Sequence, residues 1–433
     1  MKNLLIYIFA LSSAFLFTFP ASLHAEEKNE TEGKTLTLRD CYNLALANME
    51  TIAIDAQRIK EAEAHFLQAL AIVLPHASFA STDTYIDTHN GIISSGSANA
   101  HGYKRNFVFQ QALFSGFKEY AAMRASKFEE KQRAKEKERA EQLLFKDVSD
   151  SFYLFLQQQE DLRALQSIEK ALLDRISELN KRIELGRSRK SEVVNVISQL
   201  YIVRAEFELA RNQRDLSKEL LEFYTGVRIK EVEEPVNILA RVKPVEYFTE
   251  LARRRADVVA AENAAGVAKA NVDVAKSGYF PTVDLLGDYY TSRNSQPTGS
   301  KWDAGLAVTI PIFEGTQVMG DVKEARARAR ESELSLSLAG RNSQTDVLET
   351  YTTLRYAILR RQVLKKALGA ADENYNLQKK DYEFNLVNNL DVLAAIQTLL
   401  NTKRDLIQAS SEAKRIYWQL IVASGANIKE ELE

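Results

Sequence analysis

The chain has 433 residues, 57 basic and 59 acidic, for a formal charge of −2, with only 7 prolines and 17 glycines. Ala, Leu, Glu, Lys, Arg and Gln dominate, a mixture that favours long helices. No strongly basic region stands out, which argues against nucleic acid as a partner, and the isolated Arg253-Arg254-Arg255 reads as a solvated helix face.

The N-terminus carries the first specific signal. Lys2 precedes an apolar run from Leu4 to Phe19, then Pro20 and the small-residue stretch Ala21-Ser22-Leu23-His24-Ala25. That is the layout of an export signal over 1–25. A membrane anchor is the competing reading, but the apolar run falls short of the roughly 20 residues a spanning helix needs. Cys41 is the single cysteine, so no internal disulfide is possible. It lies well past the cleavage point, which argues against a lipid-modified N-terminal cysteine, and it reads as one more helix position.

Helical periodicity runs from Leu38 to Val73 and stops at Leu74-Pro75. A strand pattern follows from about Ser78 to Thr88, then a polar loop from Gly91 to Gly102 and a second strand from Arg105 to Phe114. The spacing predicts a helix over Phe117–Leu185, a break at Gly186, a helix over Ser191–Tyr224 and a stop at Gly226. The order then recurs. Val245–Ser277 is helical up to Phe280-Pro281, Thr282–Thr291 and Trp302–Ile310 are strands, and helices follow over Thr316–Phe384 and Asn389–Ser424.

The landmarks of the two halves sit at fixed offsets. Pro281 lies 206 residues after Pro75, while Gly315 and Gly425 lie 199 residues after Gly116 and Gly226. Such a period signals internal duplication. The expected organisation is a first structural repeat over 26–226, a linker over 227–244, a second repeat over 245–425 and a short tail over 426–433. At the offset of 199, Gly186 falls on Asn385, the residue type after Gly that best tolerates a left-handed turn.

The longest helices reach about 100 Å at 1.5 Å per residue, and two shorter ones end to end match one of them. Apolar spacings of three and four, as in Leu165, Ile168, Leu172, Ile176, Leu179 and Ile183, are those of a coiled coil. Four strands of about ten residues have the length of membrane-spanning strands. Four cannot close a barrel, and open edges are not tolerated in lipid. Chains must therefore associate, to eight strands as a dimer or twelve as a trimer. Trp302, Leu306 and Val308 point to the even-numbered face of the last strand as the one meeting lipid.

The export signal, the doubled order, the Leu-Pro and Phe-Pro helix stops, and the turns Leu113-Phe114-Ser115-Gly116 and Ile312-Phe313-Glu314-Gly315 together resemble the TolC-type outer membrane efflux proteins. The resemblance covers nearly the whole mature chain. It implies a mainly α protein with a membrane β-barrel, in which a trimeric 12-stranded barrel is continuous with a 12-helix periplasmic tunnel. It also implies an exit duct of a tripartite efflux or type I secretion system, a homotrimer in outer membrane lipid working with a periplasmic adaptor and an inner-membrane transporter. On that reading Phe114, Gly116, Pro311, Phe313 and Gly315 form the barrel–tunnel joints, and 227–244 with Glu233-Glu234-Pro235 is the equatorial collar. Ala112 stands where the family often has the proline seen here at Pro311.

In this architecture function concentrates at the hairpin tips. The first is basic, with Gly186, Arg187, Ser188, Arg189 and Lys190; the second carries Asn385, Val387, Asn388 and Asn389. Both tips are candidate adaptor contacts, and the basic one reads alternatively as salt bridges holding a closed state or as a solvated loop whose positive charge sits near the preceding helix's C-terminus. The resemblance makes Asp391 the periplasmic gate, a carboxylate that threefold symmetry turns into a ring. A second aspartate often found one turn on is Ala394 here. Read without the resemblance, Asp391 is a solvated first-turn aspartate favoured by the helix dipole. Enzyme chemistry has no support. The histidines at 24, 65, 76, 89 and 101 are scattered, and no metal-ligand spacing, activated nucleophile or phosphate-cradling loop is present, so no cofactor is expected. The alternative is a periplasmic structural or adaptor coiled-coil protein without a membrane barrel.

Overall fold

The computed structural model describes residues 35–85, 101–234, 238–240, 242–294 and 300–432. The signal segment, Pro235, and most of both loops that join paired strands lie outside these. Among the described residues the strands are β1 Thr35–Leu36, β2 His76–Tyr85, β3 His101–Ser115, β4 Glu231–Val232, β5 Thr282–Arg293 and β6 Trp302–Thr309. The helices are α1 Leu38–Asn48, α2 Glu50–Ala71, α3 Lys118–Glu184, α4 Lys190–Thr225, α5 Val245–Ala252, α6 Ala256–Lys276, α7 Gln317–Glu383, α8 Asn389–Ser424 and α9 Ile428–Glu431.

The two long helices have 67 residues each and the two that return from the tips have 36 each. Left-handed residues recur with the same spacing, Gly116 and Gly315 at φ 64° and 66°, Gly186 and Asn385 at 69° and 57°, Gly226 and Gly425 at 70° and 73°; Phe117, at φ 64°, has no counterpart in the second half. A side chain at Gly116 would also strike the Ser277 carbonyl, 2.6 Å from its Cβ. These turns fix where each long helix begins and where each hairpin reverses.

Two helices expected to be continuous are broken, both for one reason. The first breaks at Met49, whose ψ of 120° is extended, and the second at Arg253–Arg255. At the first break Asn48 Nδ2 donates to the Thr225 carbonyl at 2.6 Å, and at the second Arg255 Nη1 donates to the Ala423 carbonyl at 3.0 Å. The C-termini of α4 and α8 thus abut the breaks, and the side chains there satisfy carbonyls the helices leave open. Arg255 is therefore not on a solvated face. It is 3% exposed and ion-paired with Asp257 at 2.7 Å and Asp346 at 2.9 Å; only Arg253 and Arg254 are exposed.

The strands β2, β3, β5 and β6 form one antiparallel sheet in that order. Beneath it α2, α3, α6 and α7 continue the same lateral order, and farther down α3 pairs with α4 and α7 with α8. β1 and β4 form a separate parallel pair that ties the N-terminal segment to the linker. One apolar core lies at that level, built on Phe145, Phe152, Tyr153, Leu221, Phe248 and Trp418. A second lies toward the tips, built on Leu165, Leu172, Leu179, Val196, Leu200 and Ile396. Cys41 is fully buried in the first, and burial with the nearby Asp40 pushes its thiol up to about 12.

A charged stretch of α3 supports the helix and ties it to its neighbour: Lys137 pairs with Glu141 and Arg133 with Glu136 along the helix, and Glu129 pairs with His65 on α2. His65 is thereby accounted for by a cross-helix contact.

Candidate functional site

The sheet sorts most of its residues by face. Cross-strand register places Phe79, Phe107, Tyr289 and Trp302 in one row, Ala77, Phe109, Gly287 and Ala304 in the next, and pairs Leu285 with Leu306 and Val283 with Val308. The opposite face carries Ser78, Val108, Asp288 and Asp303 in one row and Ala112, Asp284 and Ala307 in another. Asp288 accepts from Asn106 Nδ2, and Asp303 accepts from the Tyr290 hydroxyl at 2.8 Å. One face is thus mainly aromatic and aliphatic, with Asp83, Arg105 and Gln111 also on it, and the other mainly polar and acidic, with Val108 and Leu286 also on it, as in a strand wall between lipid and water. β2 and β6 are edges with no partner strand in the chain among the described residues.

At the lower edge of the sheet, Phe114, Gly116, Pro311, Phe313 and Gly315 stand where strand passes to helix. Phe114 packs edge-on against Phe117 at 5.0 Å, and Phe117 against Phe280 at 6.2 Å. Phe313 is 86% exposed.

At the far end the two hairpin tips lie side by side. Asn388 is the N-cap of α8: its Oδ1 accepts from the backbone of Leu390 and Asp391, and Asp391 Oδ2 accepts in return from the Asn388 amide at 3.0 Å. Asp391 is exposed and completes this capping box, the role its first-turn position predicts. Asn389 is buried; its Oδ1 accepts from Arg175 Nε at 3.0 Å and its Nδ2 donates to the Glu192 carbonyl at 3.3 Å. Asn385 accepts from Arg182 Nη1 at 3.3 Å. Gly186 makes the first turn, and Ser188 donates to Glu192 at 2.5 Å. Arg187, Arg189 and Lys190 enter no ion pair among the described residues, and Val387 packs partly buried against the lower core.

Sequence reasoning missed the centre of this cluster. Tyr382 stands between two guanidiniums, Arg175 at 3.7 Å and Arg182 at 4.4 Å from its ring centroid, and its hydroxyl donates to Glu192 at 3.1 Å. Burial and the Glu192 carboxylate hold that hydroxyl above its ordinary value. Arg175 is 4% exposed, with Nη2 unpartnered. The cations joining the hairpins thus come from α3, above the basic tip. The only local signal is the pair of arginines seven residues apart facing the coiled-coil seam.

Among the described residues no group of His, Cys, Asp and Glu could hold a metal ion, and no helix is long and apolar enough to cross a membrane. The geometry is one of wall and seam.

Comparison with known proteins decides the family. The model of the outer membrane efflux proteins matches residues 41–227 and 248–426. The chain belongs to that family. It is similar to the outer membrane protein TolC of Escherichia coli, 22% identical over 372 residues that cover 79% of this chain and 72% of TolC. It is also similar to the alkaline protease secretion protein AprF of Pseudomonas aeruginosa, 21% identical over 275 residues, 59% of this chain and 56% of AprF. The crystal structure of the outer membrane protein VceC of Vibrio cholerae shares the fold, with a TM-score of 0.79 at 20% identity, covering 90% of this chain and 96% of VceC. This efflux-family member is an outer membrane transport protein, in a family of channels rather than enzymes.

Proposed function

We propose that three copies of this chain close their four-stranded sheets into a 12-stranded barrel continuous with a 12-helix periplasmic tunnel, the exit duct of a tripartite efflux or type I secretion system. The observation that carries this reading is a sheet with two unpaired edges and one mainly apolar face. Lipid forbids such edges, and a ring of copies removes them. The rows with Phe107 and Trp302 then meet lipid, and the Asp288 and Asp303 row lines the pore. The residues at Phe114–Gly116 and Pro311–Gly315 become the joints between membrane wall and tunnel. Each protomer supplies two repeats, 26–226 and 245–425, with 227–244 in the collar.

The duct is passive and has no energy source of its own. A periplasmic adaptor and an inner-membrane transporter open it, and the tips around Gly186–Lys190 and Asn385–Asn389 are the contact surface; the unpaired Arg187, Arg189 and Lys190 favour an acidic counterpart. Asp391 from each of three chains forms the ring at the closed mouth, its Oδ1 left over by the capping box. The Tyr382–Glu192 bond and the two arginines hold the hairpins of one protomer together in that state. The size of the purified particle tests the assembly: three copies per detergent-solubilised particle are expected, and a monomer recovered from the soluble periplasmic fraction would overturn it.

A further inference from the structure

The two apolar cores do not meet. On α3 the upper core ends at Phe155 and Leu156 and the lower begins at Leu162; on α8 the lower ends at Leu400 and the upper begins at Ile416. Between them lies a waist that is largely polar apart from the buried Ala409 and Ala413 of α8. Gln158 and Asp161 are each more than nine-tenths buried there. A cleft of about 520 Å3 opens beside them, lined by side chains that include Gln157, Gln213, Asn401, Asp405 and Gln408.

One side chain spans this waist. Arg404 on α8 holds Asp161 of α3 through two bonds, Nε to Oδ1 at 2.7 Å and Nη2 to Oδ2 at 3.0 Å, and Glu206 of α4 through Nη1 at 2.8 Å. On the collar side α8 is tied to α3 repeatedly: Asp150 accepts from Arg415 and Gln419, and the Tyr153 carbonyl accepts from Ser411. On the tip side the polar ties are fewer, Gln199 with Gln397 and the Asn389 contacts. Close-packed apolar cores resist bending. A waist of amides beside an open cleft exchanges its hydrogen bonds with water, so bending there breaks little packing.

We propose that Arg404 is a positioning residue for opening: its clamp on Asp161 and Glu206 keeps the lower part of α8 against the first hairpin, and its release lets the tip half pivot at the waist while the collar half stays. This rests on the reading of the tips as the mouth of a channel. A planar guanidinium bound in two directions suits the role, because it fixes an angle as well as a distance.

The test is Arg404→Gln, with Asp161→Asn as an isosteric second variant that breaks the same clamp, each in a Cys41→Ala background. Spin labels at Arg187 and Leu386 report the separation of the tips within a chain, and labels at Lys230 and Lys429 report the collar. Electron–electron double resonance on the purified full chain should show the tip pair longer and broader in both variants, the collar pair unchanged, and Arg404→Lys closer to the parent. In planar bilayers the ratio of open to closed time should rise about tenfold, the shift expected on losing one charge-assisted clamp. A tip pair unmoved in both variants, or tip and collar pairs shifting together, would overturn the proposal. Tip separation without conductance in parent or variant would support the hinge and refute the channel reading.

Discussion

Asn385 occupies, at φ 57°, the left-handed turn position that Gly186 occupies at φ 69° in the other hairpin. The same reversal is made once by a residue without a side chain and once by one that also accepts from Arg182. A Cβ at Gly186 would meet nothing within 4 Å, so any substitution cost there is conformational. Gly186→Ala and Asn385→Ala should each cost about 1 kcal/mol, and Asn385→Gly should be near neutral, measured by denaturant unfolding. A β-branched residue at either site should cost more.

Tyr382 is the hub of the tip cluster, and its hydroxyl bond to the Glu192 carboxylate is the part that can be removed without changing shape. Tyr382→Phe should raise the open fraction about tenfold, from the loss of a hydrogen bond to a charged acceptor. Arg175→Leu should act more strongly, because it also leaves Asn389 Oδ1 buried without its donor. Single-channel recordings check both, and an open fraction equal to the parent's in both variants would remove Tyr382 and Arg175 from the gate.

For Asp391 the two roles separate by substitution. Asp391→Asn removes the charge and keeps the size, so cation selectivity and block by multivalent cations should fall. The capping box with Asn388 should weaken by about 1 kcal/mol. Reversal potentials in asymmetric salt measure the first effect and thermal unfolding the second. Loss of stability with unchanged selectivity would make Asp391 a cap alone.

Much of this arrangement is written in local sequence. Strand alternation in Trp302–Thr309, the long helical periodicities and the turn residues Gly116, Gly186 and Gly315 are signals of that kind, and each falls within a few residues of the observed element. The breaks at Met49 and Arg253–Arg255 are not, because neither stretch carries a helix breaker; the ends of α4 and α8 impose them from across the fold. Arg255 reads as part of a solvated run because nothing local reveals Asp346 or the Ala423 carbonyl. The Tyr382 cluster joins residues separated by 190 positions or more on separate hairpins. The register that sorts the sheet into apolar and polar faces needs β3 and β5 paired across the two halves.

Cys41 gives a check on the upper core. Its thiol is buried and pushed up to about 12, so at pH 7 to 9 it holds its proton, and the thiolate is the reactive form. A maleimide or aromatic disulfide reagent should leave the native protein unmodified over that range and react with one equivalent after unfolding. Modification at the rate of a free thiol in the native state would contradict the burial of Cys41 against Phe145 and Tyr42.

Single-channel recording of the purified protein in planar lipid bilayers bears most directly on whether this chain forms a gated duct. Long closed periods broken by openings of one defined, cation-preferring conductance are expected, with the open fraction raised by Tyr382→Phe. A protein that inserts into the bilayer yet never conducts, in the parent and in Tyr382→Phe alike, would refute the channel.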